Sequence, residues 1–214
     1  MKMNTFAIVP VKKFENAKMR LSSMLDIEDR ILLSSLMLDY TLQVLVSVPS
    51  LTQVVVVSGD NRAEVIVANH GANFLREEKD SGVNSAVAVA DSYCMKEEAD
   101  ATIVIPCDLP LLESIDISKV ISLAKNESRC IVICPSLRYD GTNMLLRKPP
   151  CVIDTFYDSD SYNMHVRSAI NLGVPVKLFF SKTVMCDIDT PEDAIQLAKE
   201  ARDAKTLEFL KSKF

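Results

Sequence analysis

The chain has 214 residues, a formal net charge of -5 from 24 lysines and arginines against 29 acids, and only five glycines. Ordinary glycine usage is about 7%, and with so few neither GxGxxG nor GxxxxGK[ST] can be written, which excludes phosphate cradles built on glycine amides. At 48% hydrophobic residues the chain has core enough for one domain over 1–214 and is not disordered, and without a dense Lys/Arg run it carries no nucleic-acid footprint.

The N-terminal stretch MKMNTFAIVPVKKF passes directly into a strand pattern at Phe6–Val9, with no signal-peptide core before it. A polar loop follows, then a helix from about Asp26 to Val48, a strand at Val54–Val57 and a helix at Asn61–Asn69. Asn73–Arg76 is a strand, Val83–Lys96 an alanine- and valine-rich helix, Thr102–Ile105 a strand, Ile117–Lys125 a helix and Cys130–Cys134 a strand. Apolar strand runs alternating with helices predict βαβ units and a largely parallel sheet. Beyond Arg138 the rhythm breaks. Asp140–Gly141 and Lys148–Pro150 are turns, and short strands near Met144–Leu146 and Val176–Phe180 flank a helix at Ser161–Leu172. Thr190–Pro191–Glu192–Asp193 opens a C-terminal helix, with a threonine cap, proline at the first position and acids in the first turn. Every apolar run is far shorter than a membrane span, so the expectation is a cytoplasmic protein with no membrane partner.

Cys94, Cys107, Cys130, Cys134, Cys151 and Cys186 form no CxxC, and His70 and His165 are the two histidines. Zinc spacing is missing, so most of the cysteines read as buried hydrophobes in a reducing compartment.

In open α/β sheets ligands bind at the carboxyl ends of strands. After the first strand, Lys12, Lys13, Lys18 and Arg20 fall close together; such cations can hold a triphosphate, or be a solvated surface. After the fourth strand comes Asp108 in PCDLPLL, a magnesium ligand or a turn and helix-cap aspartate. Asp187 and Asp189, two apart, lie on one side if extended, and the cap signal that explains Thr190 and Asp193 does not explain them. Either could face Asp108 across a metal site. Ser58–Gly59–Asp60 and the loop into the third helix, with Gly82 and Asn84, offer groups for a base or phosphate, or ordinary caps. Asp140–Gly141–Thr142–Asn143 reads as an ordinary turn unless Thr142 and Asn143 face the cleft, and His165 lies on a helix one turn beyond Ser161, where a histidine is more often structural.

Taken in order, VPVKKFENAKMRL, SGVNSA, CDLPLL, DGTNML, SYNMHVRSAINLG and DIDTPED resemble the motifs of the 2-phospho-L-lactate guanylyltransferases, which carry out the GTP-dependent activation step of coenzyme F-420 biosynthesis. The resemblance spans nearly the whole chain. It implies a three-layer α/β/α nucleotidyltransferase fold of the glycosyltransferase-A type with a mostly parallel mixed sheet. More distantly the chain is similar to molybdopterin-cofactor guanylyltransferases and sugar-phosphate nucleotidyltransferases, whose first loop is glycine-rich instead of lysine-rich. The resemblance implies GTP and a small phosphorylated carboxylic acid as substrates, Mg2+ as cofactor and a homodimer. On this reading Lys12, Lys18 and Arg20 bind the triphosphate, while Asp108 with Asp187 or Asp189 holds magnesium. Ser58, Asp60, Gly82 and Asn84 contact guanosine, and Thr142, Asn143, Ser161 and His165 receive the acceptor. The family often carries a GxGS pattern where this chain has Asp158–Ser159–Asp160–Ser161, which leaves phosphoenolpyruvate as an alternative acceptor. From another class, the alternative is a silent nucleotide-binding regulator of the same fold.

Overall fold

A computed structural model describes residues 3–200 and 205–213. Seven strands form one sheet in the order β3-β2-β1-β4-β6-β5-β7: β1 Thr5–Val11, β2 Gln53–Ser58, β3 Asn73–Arg76, β4 Ala101–Val104, β5 Cys130–Pro135, β6 Thr142–Lys148 and β7 Val176–Leu178. All neighbours pair in parallel except β6, which runs antiparallel to both β4 and β5. The helices are α1 Ile27–Val46, α2 Asn61–Asn69, α3 Val83–Lys96, α4 Ser114–Ala124, α5 Ser161–Asn171, α6 Lys182–Met185, α7 Pro191–Glu200 and α8 Lys205–Lys213. None of the described helices is long and apolar enough to cross a membrane.

The period-2 geometry of a strand sorts β1 onto two cores. Ala7, Val9 and Val11 pack against Leu38, Leu42 and Leu45 of α1, Val67 of α2 and Val120 of α4. Phe6 and Ile8 face the other way, onto Ala86, Val87, Ala90 and Cys94 of α3. Both faces are covered, as an α/β/α sandwich requires, and each fully buried Val, Leu or Ile contributes about 1.5–3 kcal/mol. A smaller core joins Leu21 and Leu25 of the first loop to Leu33 and Met37 of α1, Ile188, and Leu197, Leu207 and Leu210 of the last two helices. That core pins the basic loop beside the Asp187–Asp189 segment.

Helix starts follow local chemistry. Asp26 caps α1 by accepting from Asp29 N at 2.8 Å. At α7 the Thr190 backbone N–H donates to Asp193 Oδ2 at 2.8 Å, and Asp193 N donates back to Thr190 Oγ1 at 3.4 Å, a reciprocal box. The C-terminal region holds two helices, α7 and α8, where sequence predicts the start of one. The four-residue α6 and two 3₁₀ turns, Phe14–Asn16 and Met19–Leu21, are too short to show a hydrophobic period.

The strand order reverses between β1 and β4. At such a switch point the connections leave in opposite directions and open a crevice beyond the strand ends.

Candidate active site

The crevice is a cleft of about 600 Å³. It is lined by the loop after β1, the Pro106–Asp108 segment after β4, the β5–β6 turn, the start of β6, Val83, Tyr157, Ser161, Asp187 and Asp189.

Lys18 sits at its centre. Its Nζ lies 2.7 Å from Asp108 Oδ2, 3.1 Å from Asp189 Oδ1 and 2.5 Å from the Ile188 carbonyl. Burial alone would lower this ammonium, but Asp108 and then Asp189 outweigh it and hold the group above the ordinary lysine range. Arg20 is exposed and reaches Asp189 Oδ2 at 3.7 Å, and Lys12 is exposed on the cleft wall. The loop is fixed from behind: buried Arg30 of α1 donates to the Ala17 carbonyl at 2.7 Å and the Glu15 carbonyl at 3.3 Å.

Asp187 stands beside this group. Burial, then the Asp108 carboxylate, push it up to about 6, against a hydrogen bond from Asn143. Among the described residues, no three acid, histidine or cysteine side chains cluster tightly enough to hold a metal ion alone. The two carboxylates and one carbonyl that surround the Lys18 ammonium are nevertheless hard oxygen donors converging on a positive charge. Magnesium is usually bound by one or two carboxylates completed by substrate phosphates and water, so the donor set fits that ion once Lys18 turns aside.

Thr142 and Ser161 face the same cleft, with their hydroxyl oxygens 3.2 Å apart. Asn143 also lines it, but its amide is spent inside the protein: Nδ2 donates to the Val184 carbonyl at 2.9 Å, the Met185 carbonyl at 3.2 Å and Asp187 Oδ1 at 3.0 Å. Instead of reaching the acceptor, it orients Asp187. His165 differs from expectation more sharply. It is fully buried, with Nδ1 against Thr142 Oγ1 at 3.0 Å and Nε2 accepting from Phe156 N at 2.9 Å. No ring nitrogen remains for an acceptor. Burial, then the Arg147 guanidinium, press it down to about 4, so the ring is neutral.

The guanosine set divides. Ser58 is fully buried and accepts from Asp60 N at 3.1 Å. Asp60 caps α2 through Arg62 N at 2.9 Å and also accepts from Phe14 N at 2.8 Å. Neither lines the cleft; the local signal is that of a cap, and Asp60 clamps the first loop to the end of β2. Asn84 is likewise committed, accepting from Tyr157 N at 2.9 Å and donating to Asp158 Oδ2 at 3.0 Å. It ties α3 to the segment before α5. Gly82 keeps its place at the start of α3 with φ +91°, a conformation that favours glycine, next to Val83 on the cleft wall.

Among the lining residues, Arg138 and Tyr157 escape sequence reasoning. Arg138 follows β5 and grips Asp193 at 2.7 and 2.9 Å; a cation beyond a strand end was its available signal. Tyr157 has a buried hydroxyl without a hydrogen-bond partner, and nothing in its sequence surroundings marks it. All six cysteines are free, and burial pushes the thiols of Cys94, Cys107 and Cys134 up to about 12. None of these three is a thiolate nucleophile at neutral pH.

Comparison with known proteins shows the family and the fold. Residues 5–213 match the family described as guanylyl transferase CofC like. A phosphoenolpyruvate guanylyltransferase of Rubrobacter xylanophilus is 35% identical over 195 residues, covering 91% of this chain and 94% of the relative. A 2-phospho-L-lactate guanylyltransferase of Methanothermobacter thermautotrophicus is 30% identical over 210 residues, covering 98% and 91%. Among solved structures, one described as a nucleotide-diphospho-sugar transferase from Desulfovibrio desulfuricans superposes with a TM-score of 0.80 at 16% identity, over 98% of this chain and 95% of that one.

Proposed function

The chain belongs to the guanylyl transferase CofC-like family, and we propose that its cleft transfers GMP from GTP to 2-phospho-L-lactate, releasing pyrophosphate. The product is lactyl-diphospho-guanosine, an intermediate of coenzyme F-420 biosynthesis. The observation that carries this reading is the meeting, at one switch-point cleft, of the basic loop, three carboxylates and a hydroxyl pair. Relatives named as guanylyltransferases give no support to a silent regulator.

The reaction asks little covalent work of the protein. A phosphate oxygen of the acceptor bonds to the α-phosphorus of GTP as the bond to the bridging β-phosphate oxygen breaks. Positioning and charge neutralisation supply the rate. Lys12 and Arg20 bind triphosphate oxygens from the cleft rim and take up charge on the departing pyrophosphate. Lys18 exchanges its carboxylate partners for phosphate oxygens when the nucleotide enters. Asp108 with Asp187 or Asp189 would hold magnesium, which would neutralise charge at the α-phosphate. The start of α3 at Gly82 presents backbone donors to the nucleotide, while Thr142 and Ser161 receive the acceptor.

A second reading, phosphoenolpyruvate as acceptor, is favoured by the name and 35% identity of the Rubrobacter relative. Pyrophosphate release, followed for each nucleoside triphosphate with each acid, decides between them. GTP with phospholactate is the expected productive pair; turnover with phosphoenolpyruvate alone selects the second reading, and release with no pair overturns both.

A further inference from the structure

Thr142 opens β6 and Ser161 opens α5, and His165 stands one turn along the same face of α5. The proton on His165 follows from its neighbours. Nε2 lies 2.9 Å from the Phe156 backbone N–H, a group that can only donate, so Nε2 carries the lone pair. In a neutral ring the proton then belongs to Nδ1, and it points at Thr142 Oγ1, 3.0 Å away. The rings of Phe156 and Tyr157, with centroids 5.8 and 5.0 Å from that of His165, hold its plane.

The hydroxyl pair can now be counted. Thr142 and Ser161 have two protons between them, and the single hydrogen bond joining them uses one. The imidazole N–H already occupies an oxygen lone pair on Thr142. One hydroxyl proton is left, without an acceptor among the described hydrogen bonds, and the cleft is its outlet. In the opposite tautomer Nδ1 would accept the Thr142 proton, both hydroxyl protons would be spent inside the protein, and the cleft wall would present only lone pairs. An anion would be attracted in the first case and repelled in the second.

We propose that His165 is a positioning residue whose Nδ1–H tautomer, pinned by the Phe156 N–H, makes the Thr142–Ser161 pair a one-proton donor to an anionic oxygen of the phosphorylated acid. It rests on the reading of the cleft as a guanylyltransferase site.

Nitrogen-15 NMR of the imidazole rings in the full chain reads the tautomer directly. The chain has two histidines, and His70→Gln assigns the other. A proton on Nδ1 with a bare Nε2 is expected; a proton on Nε2 overturns the proposal. Kinetics give the second arm. His165→Phe should raise the KM for the acceptor about 10–100-fold, the equivalent of one hydrogen bond to a charged group, and leave the KM for GTP unchanged. Thr142→Val should do the same. His165→Asn, which keeps an N–H near the Nδ1 position, should stay close to wild type. If His165→Asn and His165→Phe lose activity equally, with both KM values and Tm moving together, His165 is only structural and the proposal fails. If the wild-type chain turns over neither acid, the functional reading falls, while the NMR result still decides the proton assignment.

Discussion

Lys18 adopts a left-handed backbone conformation, φ 53° and ψ 36°, which costs a residue with a Cβ on the order of 1–2 kcal/mol. The grip of three oxygens on its ammonium and the turn bond from Leu21 N to the Lys18 carbonyl at 2.9 Å hold it there. Lys18 is thus the internal counter-charge of Asp108 and Asp189. Lys18→Met is expected to lose about 1–3 kcal/mol in chemical denaturation with EDTA, discounted for the partly open carboxylates. Magnesium should restore part of that loss, and an equal loss with and without it contradicts the counter-charge role. Asp187 carries the complementary strain. Its folded value of about 6 lies above the ordinary 3.8, so the folded chain binds more protons between those two pH values. The group's stabilising contribution is present below about 3.8 and is lost as pH rises through about 6. Asp187→Asn should therefore raise Tm at neutral pH in EDTA, lose that advantage as pH falls below about 4, and lower turnover. A Tm difference that does not vary with pH contradicts the shift.

Among elements, the junction of β1, β2 and α2 shows how scaffold and site share residues. Asp60 caps α2 and also holds Phe14, the residue that opens the first 3₁₀ turn of the basic loop. Gly59 is needed beside it, because a Cβ there would meet the Glu77 carbonyl at 2.8 Å. Asp60→Ala removes a cap and leaves a buried N–H unpaired, so urea melts should show a loss of about 1–3 kcal/mol, together with a raised KM for GTP as the loop loosens. Unchanged stability would contradict the clamp. The bounds of α2, β3 and α3 were legible in the sequence to the residue, since each is set by a local cap, a turn or an apolar period. The place of β6 between β4 and β5 was not, because alternation along a strand says which face is buried and nothing of which strand lies beside it.

At the scale of the whole molecule, the topology explains why scattered motifs meet. The reversal of strand order brings the loop after β1 beside Asp108 after β4, and the small core around Leu21, Met37 and Ile188 draws Asp187 and Asp189 to the same spot. That Lys18 and Asp108 share a cleft was legible from the rule that chemistry follows strand ends, whereas Asp187 and Asp189 follow α6 instead of a strand and their spacing alone leaves open which of them faces Asp108. The duties of Asp60, Asn84, Asn143 and His165 were not, since a cap or buried polar bridge and a ligand contact use the same residue types and are separated only by three-dimensional partners. Scarce glycine is reconciled in the same way: where glycine amides are few, cations on a clamped loop line the cleft. The proposed guanylyl transfer depends first on the Asp108 carboxylate. Pyrophosphate release from GTP and 2-phospholactate by the wild-type chain and by Asp108→Asn, matched for Tm, is the decisive comparison. Release by the wild type and a fall of at least about 100-fold in the variant are expected, the scale on which loss of one charge-stabilising group acts; undiminished turnover by a folded Asp108→Asn chain would show that the reaction does not depend on this carboxylate.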